Sequence, residues 1–328
     1  MKLIVILIVI IIYLSNAPCT FAKDCVNIIY LHGFNAFDYP IVEDEAKRVA
    51  QAFQGRCMGN YCFSGKYRVI FWADLYDCDE AFKLYESALM SLNNTHNHTN
   101  PKIHLSMDQQ KFNLFSPLIH PSDRGSGPVS CYLRNLINGF LFQIFFLKTS
   151  LYHQNIVMDR IQKAIDTTNG KFVIIAHSFG SAAAVDFLET RIIPNPANEQ
   201  KFVGLITSAD LTTTFNANYW AQNKDYDPLK KIAQFIVQKD KFWICYNHRN
   251  DIAATGLPKK LTDYKKEHNL KGKGFIVSKT TKSAFLNNYT SFLRPFALDN
   301  GKIRAHSWLH LRPYDFADKV IKTYEQEH

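Results

Sequence analysis

The sequence holds no internal repeat and no closed zinc pattern, and the apolar run near its start is too short to cross a bilayer. That run, Leu3–Leu14, is twelve residues, against the roughly 18 that a spanning helix needs. Without a repeat, a solenoid or propeller array is excluded. His96-x-His98, with His104 and His120, lies in an Asn- and Thr-rich stretch and has no metal-ligand spacing. Cys57 and Cys62 fit a disulfide loop better than half a zinc site. Neither composition nor motifs point to nucleic acid. Charged residues make up only 20% of the 328 and hydrophobic ones 47%, which excludes a disordered chain.

What is present begins with a targeting signal. Lys2 precedes the apolar run, and Thr20 and Ala22 stand three and one residues before a cut ahead of Lys23. This is the layout of a secretory signal peptide. We expect residues 1–22 to be removed near Ala22 and the mature chain to be secreted, extracellular or periplasmic. An uncleaved anchor is the alternative. Of seven cysteines, Cys19 leaves with the signal, and Cys25, Cys57, Cys62, Cys78, Cys131 and Cys245 remain. An even number in an exported chain implies disulfides. Asn93, Asn97 and Asn288 begin glycosylation sequons, which matter if the host glycosylates. The net charge is +9, much of it at Lys259, Lys260, Lys265, Lys266, Lys271 and Lys273. A solvated surface accounts for this, and association with an anionic membrane surface or substrate is the second account.

Short apolar runs alternate with helix-like stretches. Val26–Leu31, Tyr67–Trp72, Lys171–Ala176, Lys201–Thr207, Phe242–Tyr246 and Gly274–Ser278 read as strands buried on both faces. Val42–Gln54, Ile156–Thr167, Ser181–Arg191, Pro228–Gln238 and Asp315–Tyr324 read as helices. The alternation predicts an α/β fold with a doubly wound, mainly parallel sheet. Residues 73–155 interrupt it, being far longer than a crossover requires. We therefore expect one domain, 23–328, in which 78–153 is a cap inserted after the second core strand. Its second half, Leu136–Leu147, is rich in Phe, Leu and Ile. That half needs an apolar surface to bury against, whether the substrate chain or the sheet.

The pattern Val173-Ile-Ile-Ala-His177-Ser178-Phe179-Gly180-Ser181 ends an apolar strand, presents a serine, and starts a small-residue helix. A strand–serine–helix turn holds the serine in a strained conformation with its hydroxyl exposed, and small flanking residues let strand and helix approach. Ala176 and Gly180 fill the flanking positions. The helix N-terminus adds donors and a dipole that favour a developing oxyanion. Earlier in the chain, Ile28-Ile-Tyr-Leu31-His32-Gly33-Phe34 ends a strand in His-Gly.

Ala-His-Ser-Phe-Gly resembles the G-x-S-x-G motif of α/β-hydrolase lipases and esterases, with Ala176 in place of the first glycine. The His-Gly strand resembles the oxyanion strand of the same superfamily. The resemblance spans roughly residues 26–76 and 154–326 and is specific only at its motif sites. It implies Ser178 as nucleophile, with the backbone N–H groups of Phe34 and Phe179 as oxyanion hole. In the family order the acid comes next. Asp251 follows the strand Phe242–Tyr246, and its Asp-Ile-Ala context resembles a lipase acid loop. Asp210, after the preceding strand, is the alternative. His306 fits the late base, with His310 the alternate. His32 is expected to support its loop, and His177 to point away from the site. The implied chemistry is acyl transfer from a carboxylic ester, lipid-like above all, with no metal or organic cofactor. An amidase, peptidase or thioesterase could use the same triad, and a binding protein could keep the fold without it. If the topology holds, Cys78–Cys131 and a bond between two of Cys25, Cys57 and Cys62 follow, with Cys245 unpaired.

Overall fold

The computed structural model describes residues 24–33, 39–72, 151–212, 228–249, 251, 254, 256–257, 259–281 and 308–328. The strands are β1 (Asp24–Leu31), β2 (Cys57–Met58), β3 (Tyr61–Ile70), β4 (Lys171–His177), β5 (Phe202–Ser208), β6 (Phe242–His248) and β7 (Phe275–Thr281). The helices are α1 (Tyr39–Phe53), α2 (Leu151–Asp166), α3 (Phe179–Phe187), α4 (Pro196–Lys201), α5 (Pro228–Gln238), α6 (Lys259–Thr262), α7 (Tyr264–Glu267), α8 (Trp308–Leu311) and α9 (Pro313–Glu327). One π-helical turn, Leu188–Ile192, extends α3.

A seven-stranded sheet runs in the order β2-β3-β1-β4-β5-β6-β7. Every pair is parallel except the short β2–β3 hairpin. Strand alternation sends side chains to opposite faces. Ile29, Leu31, Ile174, Ala176 and Trp243 belong to a core shared with α2, α3 and α5. Ile28, Tyr30, Val173, Ile175 and Ile244 belong to a second core under α1, α8 and α9. The sheet is thus covered by helices on both faces, as its near-continuous apolar strands require.

The expected strands and helices all appear, and two of them start well before the expected residue. β3 starts at Tyr61 rather than Tyr67, because Ser64-Gly65-Lys66 is absorbed as an irregularity opposite Val26–Ile28. The Cys57–Cys62 disulfide ties this added part to β2. α2 starts at Leu151, inside the stretch assigned to the cap. The rest of that stretch, 78–150, lies outside the described residues. Cys245 is buried and not disulfide-bonded. Cys25 is disulfide-bonded, and since Cys57 and Cys62 hold each other, its partner lies outside the described residues. The candidates are Cys19, Cys78 and Cys131. The expected bond between two of Cys25, Cys57 and Cys62 is thus Cys57–Cys62, while the expected Cys78–Cys131 pair lies outside the described residues.

Candidate active site

Parallel strands deliver their C-terminal ends to one edge, where open α/β sheets place their sites. Ser178 stands there between β4 and α3. Its backbone has φ 53° and ψ −123°, a region that costs a non-glycine residue about 1–3 kcal/mol. The surroundings hold it there. Its N–H donates to the Ser208 carbonyl at 2.8 Å, extending the β4–β5 ladder. The Ser178 carbonyl accepts from the Ser181 N–H at 2.9 Å and from the Ser181 hydroxyl. That hydroxyl also accepts the Leu211 N–H at 3.0 Å. Ser181 therefore clamps the serine turn to the loop after β5. The sequence marks Ser181 only as a small helix-starting residue.

Two glycines meet at the turn. A Cβ on Gly180 would lie 2.6 Å from the Leu31 and His32 carbonyl oxygens. A Cβ on Gly33 would lie 2.8 Å from Ser178 Cβ and 2.7 Å from His177 Nδ1. The His-Gly strand end and the serine turn are thus in backbone contact, and Phe179, fully buried, opens the helix beside them. Phe34 lies outside the described residues. His32 is buried in a supporting position. Its ring stacks on Trp72 with centroids 4.0 Å apart, Nδ1 donates to the Gly33 carbonyl, and Nε2 accepts the Trp72 N–H at 3.4 Å.

The two candidate acids differ in surroundings. Asp251 is three residues past β6, and β6 lies two strands from β4, about 10 Å at ordinary strand spacing. Its N–H donates to the His248 carbonyl at 2.9 Å, and its Oδ1 accepts the Ala254 N–H at 3.2 Å. Burial lowers the pKa of the neighbouring His248, with Asp251 pulling it back up and Arg249 adding to the fall. Asp210 is fully buried. Its Oδ1 accepts the Thr212 N–H at 2.8 Å, its own N–H donates to Asn247 Oδ1 at 2.9 Å, and its Oδ2 has no hydrogen-bond partner. Burial raises its pKa, against the lowering pull of Thr207, Thr212 and Cys245.

The chain matches no protein-family model and no curated protein sequence.

His306 lies outside the described residues, but the chain two residues later is fixed. Trp308 packs its ring 5.6 Å from Tyr246 and 6.5 Å from His248, beside the strand that leads to Asp251. His310, the alternate base, is buried under the sheet against Tyr30 and His177. Among the described residues no three His, Cys, Asp or Glu side chains group as metal ligands. No described helix is long and apolar enough to cross a membrane. Lys259, Lys260, Lys266, Lys271 and Lys273 are exposed, while Lys265 donates to the Gly274 carbonyl at 3.4 Å.

Proposed function

We propose that the chain is a secreted serine hydrolase of the α/β-hydrolase kind, cleaving carboxylic esters through an acyl-enzyme on Ser178. The strained serine turn supports this most strongly. It sits at the C-terminal edge of a parallel sheet and in contact with the His-Gly strand end. In this mechanism His306 takes the Ser178 proton as the oxygen attacks the ester carbonyl. Asp251 holds the imidazole tautomer and stabilises the imidazolium. The tetrahedral oxyanion accepts hydrogen bonds from the Phe34 and Phe179 N–H groups. The imidazolium then gives its proton to the departing alcohol, and water, activated by the same base, releases the acid. Asp251 is favoured over Asp210 because Trp308, two residues after His306 in sequence, packs beside β6, and because the Asp210 carboxyl is sealed in the core.

The substrate is taken to be lipid-like because Leu136–Leu147 offers an apolar wall if 78–153 caps the site. Hydrolysis of esters of increasing acyl length, by the native chain and by Ser178→Ala, tests both parts. Activity in the native chain alone, rising with chain length, supports the proposal. Equal activity in the two proteins defeats it. A preference for amides or thioesters in the same panel would keep the triad and change the substrate class. Replacing Phe145 and Phe146 by Ser separates the cap from a core role: selective loss on long esters supports a cap.

A further inference from the structure

A buried chain of polar side chains runs beneath the serine turn, on the face covered by α1 and α8. Glu45 on α1 points its Oε2 at His310 Nδ1, 3.7 Å away. The Tyr30 hydroxyl of β1 lies 3.3 Å from the same nitrogen. The His310 ring meets that of His177 edge to face, with centroids 4.3 Å apart and planes at 72°. His177 is the residue before Ser178. His177, His310 and Tyr30 are all buried. The Gly33 contacts leave no slack, because an added methyl would strike His177 Nδ1 at 2.7 Å and Ser178 Cβ at 2.8 Å together. Gly33 therefore packs closely against both the His177 ring and Ser178.

We propose that His310 is a positioning residue for the serine turn: held by Glu45 and Tyr30, it fixes the His177 ring and so the spacing of Gly33 and Ser178. That spacing sets how the His-Gly strand end meets the nucleophile turn. Displacements of about 1 Å at such a site lower turnover on the order of a hundredfold. Nothing in the hydrolytic mechanism uses these four side chains. Two imidazolium rings in edge contact in a buried site would repel strongly, so the pair carries at most one charge. Glu45 sees Arg48 and Asp44 on its own helix, and His310 across the interface. His310 sees Glu45 from α1, Tyr30 from β1 and His177 from β4. Burial holds the Glu45 carboxyl up at about 6, with Arg48 lowering and Asp44 raising it. The array therefore changes charge within the range where an esterase is assayed.

The kinetic part rests on Ser178 being a hydrolytic nucleophile, so the test reads the array in two ways. In the full chain, His310→Phe keeps a ring against His177 but loses the link to Tyr30 and Glu45, whereas His310→Gln keeps a hydrogen-bonding group. On a short p-nitrophenyl ester we expect His310→Phe to lower kcat about tenfold with KM within twofold, and His310→Gln to recover most of the loss. Glu45→Gln should flatten the kcat limb near pH 6. Independently of any activity, the His177 ring proton signals should shift near pH 6 in the native chain and not in Glu45→Gln. If esters are not hydrolysed but this titration coupling appears, the array stands and the hydrolase assignment falls. If His310→Phe folds with unchanged kcat, or the His177 signals ignore Glu45, the positioning role is overturned.

Discussion

Replacing Gly180 with alanine puts a methyl group where the serine turn has no room. The new Cβ would lie 2.6 Å from two carbonyl oxygens at the end of β1, Leu31 and His32, where ordinary contact begins at 3.4 Å. Backbone carbonyls cannot rotate aside as a side chain can, so α3 must retreat by roughly 0.5–1 Å, at the upper end of the 1–3 kcal/mol typical of overpacking. With about 2 °C per kcal/mol for a chain of this size, Tm should fall by roughly 5 °C. The retreat carries Ser178 and the Phe179 N–H away from the Gly33 strand end, so the loss of activity should be larger, on the order of a hundredfold. Gly55→Ala is the control. Gly55 has positive φ, +74°, and nothing lies within 4 Å of its added Cβ. It should cost about 1–2 kcal/mol for the left-handed conformation and leave activity alone. Thermal unfolding and kcat/KM on one ester, measured for both variants, decide the matter. Equal stability loss and equal activity in the two would refute a turn built on close backbone approach.

Three other outcomes follow from the same geometry. Asp251→Asn should lower turnover at least a hundredfold while Asp210→Asn lowers it far less, measured as kcat on one ester; the reverse order would move the acid to β5. Glu45 binds its proton more tightly in the folded state, about 6 against 4.5. The stability it contributes is complete below pH 4.5 and is lost as pH rises through 6. Its side chain is 23% exposed, so the loss is discounted to about 1–2 kcal/mol. Denaturant unfolding of native and Glu45→Gln chains at pH 4 and 7.5 should show this extra decline in the native chain only. Peptide mapping without reduction should recover Cys57–Cys62 and Cys245 as a free thiol; a Cys57 or Cys62 peptide linked elsewhere would contradict the β2–β3 hairpin.

The sheet was legible where strands are unbroken apolar runs. Val173-Ile-Ile-Ala and Trp243-Ile-Cys can lie nowhere but a layer buried on both faces, and they form β4 and β6, both interior strands of the sheet. The first half of β3 was not legible, because Ser64-Gly65-Lys66 reads as a loop and it is the pairing with β1 and β2, with the Cys57–Cys62 bond, that makes a strand of it. The serine turn could be found because its requirements are local: a strand end, a small residue on each side, a helix start. Its bracing could not. Ser181 meets Leu211 across thirty residues of sequence, and Tyr30 meets His310 across 280. Such contacts have no period or spacing to betray them. His310 illustrates the difference, since sequence position alone makes it a spare base four residues after His306, whereas its burial beside His177 gives it a supporting place.

The central claim is that the Ser178 hydroxyl is an activated nucleophile. A fluorophosphonate probe reacts with such an oxygen and leaves the phosphonyl group on it. After labelling of the native chain and of Ser178→Ala, digestion and mass spectrometry should find the adduct on the peptide containing His177-Ser178-Phe179 and nowhere in the variant. A folded native chain that takes no label, or takes it equally in Ser178→Ala, would contradict the account.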